Sequence, residues 1–267
     1  MLLGPGGACA VLPLDGVEVA TALADGFGDG PVARAVGDAG AVVAYTRSAA
    51  LLERLNERAR RLIVHAPAPP PHGPHAAVWL AGAVAPLLGS PSPPAPSLAE
   101  TPPLSFTDAE HREAEERTRP LPRRFLAVHP GSGSPSKNWR LDGFLEAARA
   151  LAGGAAWLLV AGPAEAGLAP PEGALLAREW SLRVLGAALA RAGLVLANDS
   201  GVAHLAAAAG APTLALFGPT DPALWAPVGP WVAALRATGG DLAGIEPGAV
   251  VREGLRLRSA ASGLPSG

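Results

Sequence analysis

The alternation of apolar and polar positions is uneven along the chain. From about residue 125 onward, short and mainly apolar runs recur at 125–129, 157–161, 194–197 and 213–217. A polar loop follows each of them. Near-continuous apolar runs bounded by turn residues predict strands buried on both faces. Between them, 142–152, 181–192 and 202–209 carry apolar residues at helical spacing and predict helices. Strand alternating with helix predicts a parallel sheet. In open sheets of that kind ligands bind outside the carboxyl ends of the strands.

The first half repeats the pattern more weakly. Residues 1–30 are Gly-rich, with a short strand expected at 10–14. Segments 41–45 and 62–65 read as strands. Segment 48–60 reads as a helix capped by Ser48, with Leu51, Leu52 and Leu55 on one face. The proline-rich run 67–74 predicts a loop, and 76–88 a helix packed on the sheet. Residues 89–105 read as a linker. Thr107 and Glu110 form a capping-box pattern at the start of a charged helix running to about 119. Pro120 and Pro122 end it. A boundary near Leu121 therefore divides the chain into domains 1–120 and 121–267.

Composition narrows the possibilities. Hydrophobic residues make up 49% and charged residues 16%, enough apolar material for a folded core. The net charge of −2 gives no reason to expect a nucleic-acid partner. The single cysteine, Cys9, excludes an internal disulfide and a cysteine-based zinc site, and it suits the cytoplasm. No secretory signal is expected, because a basic leader is missing and Asp15 and Glu18 interrupt the early apolar run. No apolar stretch reaches the roughly 18 to 20 residues needed to span a bilayer, so any work at a membrane is done from its surface. His65, His72 and His75 flank the proline-rich loop without metal-ligand spacing. No metal and no cofactor are expected.

The candidate chemistry lies in the loops of the second half. In the loop from Pro130 to Trp139, Gly131 and Gly133 allow close approach of a ligand. Ser132, Ser134 and Ser136 offer hydroxyls, and Lys137 offers a point charge. A Gly/Ser turn with a solvated lysine is the plainer alternative. The spacing is not that of a Walker A loop, and no GxGxxG follows a strand. Asn198-Asp199-Ser200-Gly201 precedes a helix whose N-terminus suits an anion, although Asp199 or Ser200 could serve only as its cap. His204 falls one turn into that helix, as a packed residue or as a donor to phosphate or sugar. Glu165 follows a strand and a Gly-Pro turn, where a carboxylate can accept from ribose hydroxyls or simply face water. Together these groups suit the diphosphate of a sugar nucleotide.

Four stretches occur in a familiar order: His129-Pro130-Gly131-Ser132 through Lys137-Asn138-Trp139; Gly162-Pro163-Ala164-Glu165; Asn198-Asp199-Ser200-Gly201-Val202-Ala203-His204; and Leu216-Phe217-Gly218-Pro219-Thr220-Asp221. They resemble glycosyltransferase family 9, the ADP-heptose:lipopolysaccharide heptosyltransferases, most strongly over 121–235. The resemblance implies a GT-B fold, with two Rossmann-like parallel-sheet domains facing a cleft and, here, a reduced N-terminal one. It implies an ADP-sugar donor, metal-independent inverting transfer, and a lipopolysaccharide core or other cell-envelope acceptor at the inner membrane surface. Carried over, Lys137 contacts the diphosphate or sugar, and Glu165 holds the ribose. Ser132, Gly133, Asp199, Ser200, Gly201 and His204 complete the donor site. The family's catalytic base is an aspartate in an N-terminal Gly-Asp loop, and the matching position is Gly7. Asp15 is a weak substitute. The N-terminal arginines Arg47, Arg54, Arg58, Arg60 and Arg61 either face anionic acceptor groups or form a solvated face. A member that binds a nucleotide sugar or a partner without turnover is the alternative.

Overall fold

Parallel strands dominate the computed structural model, which describes residues 30–87, 89, 103–162 and 165–263. Cys9, the Gly7 position, Asp15 and the expected strand at 10–14 lie outside the described residues. The described chain forms two compact units, 30–89 and 103 onward.

In the first unit, β1 (Val42–Tyr45) pairs in parallel with β2 (Leu62–His65). They are joined through helix Ala49–Arg58, whose Ser48 cap accepts from the Leu51 amide. A helix not expected from the sequence, Pro31–Asp38, buries Ala33 and Val36 against Leu55 and Ala44. The helix expected at 76–88 is shorter. It runs over Ala76–Gly82 and continues as a 3-10 turn at Ala85–Leu87, where Pro86 withdraws an amide donor.

The second unit holds a six-stranded, all-parallel sheet. Its strands are β3 (Leu126–His129), β4 (Trp157–Ala161), β5 (Ala174–Arg178), β6 (Leu194–Asn198), β7 (Thr213–Phe217) and β8 (Val232–Arg236). They lie in the order β5-β4-β3-β6-β7-β8. The chain winds outward from β3 to one edge, then returns to β6 and winds to the other. The switch point therefore lies between β3 and β6, where the loops after these two strands part and leave a crevice.

Alternate side chains along β3 belong to opposite faces. Leu126 and Val128 pack with Phe144, Leu151 and Val250 of the helices Leu141–Ala152 and Pro247–Ser262. Ala127 packs with Leu185, Leu189 and Leu205 on the other side, from helices Leu182–Leu189 and Gly201–Ala208. Both faces are thus covered, which is why the strands read as continuous apolar runs. The fold is α/β of the GT-B type, with parallel sheets in both units.

The charged helix Asp108–Arg117 packs with the second unit, ahead of the boundary drawn from the sequence near Leu121. The cause is electrostatic as well as apolar. Arg183 donates from Nε and Nη2 to the two carboxylate oxygens of Glu110, both at 2.7 Å. Glu110 also completes the capping box, accepting from the Thr107 amide at 2.7 Å.

Candidate functional site

The loops after β3 and β6 are tied together at the switch point by one side chain. Asn198, fully buried at the end of β6, donates to the Pro130 carbonyl at 2.7 Å and accepts from the Trp139 amide at 3.0 Å. The Trp139 indole in turn donates to the Ile245 carbonyl. One amide therefore fixes both ends of the loop that carries Lys137. Asn198 was legible as part of a motif but not as this clamp.

Lys137 ends a 3-10 turn and donates to Asp199 Oδ2 at 2.8 Å. The same oxygen accepts from the Thr220 hydroxyl at 2.8 Å. Asp199 is buried and Lys137 about one-third exposed, so the ammonium is held from behind with its outer side in water. This arrangement changes the meaning of Asp199. A carboxylate beside a phosphate repels it, whereas one paired with a lysine aims a cation at it. Thr220, given no role from the sequence, is the second anchor of that pair.

Ser200 is the cap of helix Gly201–Ala208, accepting from the Ala203 amide at 3.4 Å. The first-turn amides of Gly201 and Val202 have no helical carbonyl to meet, which makes this end of the helix electropositive. Exposed His204 follows on the same helix and lines the cavity described below.

Ser132 has hydrogen-bond partners within its own loop. Its hydroxyl donates to the Ser134 carbonyl at 2.7 Å and accepts from the Ser134 amide at 3.2 Å, so it shapes its own loop. Ser134 and Ser136 share a hydrogen bond as well. Gly131 is also explained by a neighbour within the chain. A Cβ there would collide with the Glu165 carboxylate. Gly133 has open space around it and is the glycine that leaves room for a ligand.

Glu165 sits over Gly131, and its Oε2 accepts from the Gly162 amide at 2.9 Å. Arg178, at the end of β5, donates through Nη2 to the carbonyls of Glu165 and Leu168. The end of β5 thus holds the backbone of Glu165 while the Gly162 amide, next to β4, holds its carboxylate, and Oε1 accepts no hydrogen bond among the described residues. His129 lies nearby with Nδ1 donating to the Val160 carbonyl at 3.0 Å. Burial pushes its pKa below the ordinary histidine value, opposed by that hydrogen bond and by the charge of Glu165. Its ring is neutral at pH 7, and Nε2 is then an acceptor.

These groups border a cavity of about 700 Å³ at the carboxyl end of the sheet. Ser132, Gly133, Glu165, Ser200, Gly201 and His204 line it, together with His129. Lys137 and Asp199 stand beside it as the ion pair and are not part of its wall. Its far wall is apolar, made of Val160, Ala177, Trp180, Leu182 and Leu185. That wall was not expected, because β5 was not recognised as a strand and Trp180 follows it. Glu179 lines the cavity too, with a left-handed backbone (φ +58°) that non-glycine residues seldom adopt. The combination is an apolar slot, a carboxylate oxygen with no hydrogen bond among the described residues and an electropositive helix end, in that order along the sheet edge. It matches the chemical sequence of a base, a ribose and a diphosphate.

His65 and His75 have structural partners. His65 contacts the Trp79 carbonyl and ring, and His75 caps helix Ala76–Gly82. Among the described residues no group of three His, Cys, Asp or Glu side chains is placed to hold a metal ion. No described helix is long and apolar enough to cross a membrane.

The fold has solved counterparts. A family 9 glycosyl transferase from Veillonella parvula superposes with a TM-score of 0.67 at 18% identity, covering 86% of this chain and 77% of that one. The E. coli ADP-heptose lps heptosyltransferase II gives 0.62 at 19%, covering 86% and 80%. E. coli heptosyltransferase WaaC with ADP gives 0.60 at 18%, covering 91% and 79%. No curated protein sequence matches the chain. The family model of glycosyltransferase family 9 (heptosyltransferase) matches residues 76–243, well over half the chain and including every loop of the cavity. The protein belongs to glycosyltransferase family 9.

Proposed function

We propose that this chain transfers a heptose or related sugar from an ADP-sugar to a lipopolysaccharide core or other cell-envelope acceptor. The observation that carries the reading is the cavity at the switch point, where an apolar slot, Glu165 and the N-terminus of helix Gly201–Ala208 follow one another. The base lies against Trp180 and Leu185, and Glu165 Oε1 accepts from the ribose. The diphosphate lies on the amides of Gly201 and Val202, with Lys137 at its open side and His204 toward the sugar. Two structural neighbours are described with ADP and with ADP-2-deoxy-2-fluoro heptose, which supports a nucleotide-sugar donor.

In the reaction an acceptor hydroxyl loses its proton to a base and attacks the anomeric carbon from the face opposite the diphosphate. The new C–O bond forms as the bond to phosphate breaks, so the configuration inverts and ADP leaves with the electron pair. The helix end and Lys137 offset the charge that develops on the departing diphosphate. No metal is required in this scheme. Work at the inner face of a membrane, from the cytoplasm, suits such an acceptor.

A second reading has one observation behind it. The position expected to carry the catalytic aspartate is Gly7, and Asp15 is a weak replacement. A member that binds the donor without turnover fits that residue. Calorimetry with ADP tests what both readings share, because a wild-type protein that binds no ADP overturns both. Release of ADP from ADP-heptose, measured with several acceptors, then separates them. Release above the hydrolysis background establishes transfer, whereas ADP binding without release leaves the binding reading.

A further inference from the structure

A second cavity, of about 760 Å³, opens at the other edge of the same sheet, where the strands begin. Its wall is basic. Arg119, Arg123, Arg124 and Arg191 line it, against one carboxylate, Glu115. Glu115 is engaged by Arg191 at 3.5 Å. Arg119, Arg123 and Arg124 are exposed and, among the described residues, their side chains take part in no hydrogen bond or ion pair. Four guanidinium groups thus converge on one cleft in a chain whose net charge is −2.

A solvated set of charges at helix ends is the simplest account of such a cluster. Arg119 and Arg191 do follow the ends of helices Asp108–Arg117 and Leu182–Leu189, where cations offset the helix dipole. Arg123 and Arg124 do not. They lie on the turn that leads into β3, and the backbone of that turn is fixed. Arg124 is left-handed (φ +56°). Its carbonyl packs so closely on Gly193 that a Cβ there would collide with it. The next carbonyl, of Phe125, accepts from the Gly193 amide at 2.8 Å. A left-handed non-glycine residue costs on the order of 1–3 kcal/mol and persists only where its surroundings hold it. Here the hold sets two arginines whose side chains have no partner among the described residues in the wall of a cavity. Half-buried Trp231 lines the same cavity.

We infer that this cleft binds a phosphate-bearing anion, either free or as the headgroup of an anionic lipid. Guanidinium groups match phosphate oxygens in charge and in planar, paired geometry. The cleft lies at the opposite edge of the sheet from the donor cavity and does not depend on the reading of that cavity. If the anion is a lipid headgroup, it holds this edge of the protein at a membrane surface.

The test uses the whole chain, wild type and the double variant Arg119→Ser/Arg123→Ser, with exposed Arg112→Ser as a charge-matched control away from the cleft. The same comparison is repeated in a Lys137→Ala background, which removes phosphate held at the donor site. Inorganic phosphate is titrated by calorimetry. Vesicles of phosphatidylcholine, with and without phosphatidylglycerol, are assayed by sedimentation. The double variant is expected to bind anionic vesicles about thirtyfold more weakly, at about 1 kcal/mol for each arginine near such a surface. It is also expected to lose measurable phosphate binding. The Arg112→Ser control keeps wild-type values, and melting curves confirm that the variants are folded. Binding of phosphate alone identifies a small-anion site, and binding of anionic vesicles alone identifies a lipid headgroup. The proposal is overturned if the wild type binds neither probe, or if Arg112→Ser weakens binding as much as the double variant does, or if the double variant loses nothing in the Lys137→Ala background.

Discussion

A methyl group on residue 131 would occupy the space that the Glu165 carboxylate fills. Gly131→Ala must therefore displace Glu165 without touching any ligand itself. If Glu165 Oε1 accepts from the ribose, that displacement removes a charge-assisted hydrogen bond worth about 1.5–3 kcal/mol, and ADP binds at least about tenfold more weakly. Calorimetry with ADP and its 2′,3′-dideoxy analogue checks the cause. The wild type should prefer ADP, and Gly131→Ala should bind the two alike. The Lys137–Asp199 pair makes a related prediction. Lys137→Ala is expected to weaken ADP by about 10- to 100-fold, as the loss of one hydrogen bond to a charged group does. Asp199→Asn keeps a side-chain acceptor for Lys137 and Thr220 while releasing the charge. It is expected to cost less than Lys137→Ala, and to cost nothing further when Lys137 is already Ala. A separate, additive loss in the double variant would mean that Asp199 meets the ligand directly.

Helix Asp108–Arg117 is docked by a group whose protonation can be followed. The guanidinium of Arg183 lowers the Glu110 pKa from 4.5 to about 2, against the opposing effect of burial, and the Thr107 amide assists. A carboxylate depressed in the fold contributes stability that is fully present above its unfolded value. That contribution is lost as pH falls from about 4.5 toward 2. Glu110→Gln should flatten urea-midpoint curves over that window and lower the midpoint at pH 7. His129 acts at higher pH. Its pKa is lowered by burial, so the unfolded chain takes up a proton that the fold does not, and stability falls as pH drops below 6.5. The capping box of this helix was legible because it is local, a threonine and a glutamate three residues apart. The docking partner Arg183 was not, because it lies 73 positions away. The same difference explains the strands. β3, β4, β6 and β7 are apolar enough to be read directly. β5 (Ala174–Arg178) and β8 (Val232–Arg236) are rich in Ala, Leu and Arg, residues that favour helices. Only pairing with β4 and β7 makes them strands, and with β5 went the wall that Trp180 provides.

Every described residue that lines the donor cavity is numbered 104 or higher and belongs to the second unit. On the function proposed above, donor binding is a property of the six-stranded sheet and its loops, which is also the part whose sequence was most legible. The catalytic base is expected from the other end of the chain, at Gly7 or Asp15, and both lie outside the described residues. Binding and turnover should then separate by mutation. Asp15→Asn is expected to leave ADP affinity unchanged within about twofold, the scatter usual for substitutions that share no partners. If Asp15 supplies the base, the same substitution lowers the rate of sugar transfer by about 10²- to 10⁴-fold. Gly7→Asp asks the converse question. It restores the carboxylate at the position where the family carries one, and it should raise transfer if that loop still reaches the anomeric carbon. Both variants are read by ADP calorimetry beside ADP release in the presence of acceptor. A loss of ADP affinity in Asp15→Asn would contradict the assignment of donor binding to the second unit alone, since no group of that unit has been changed.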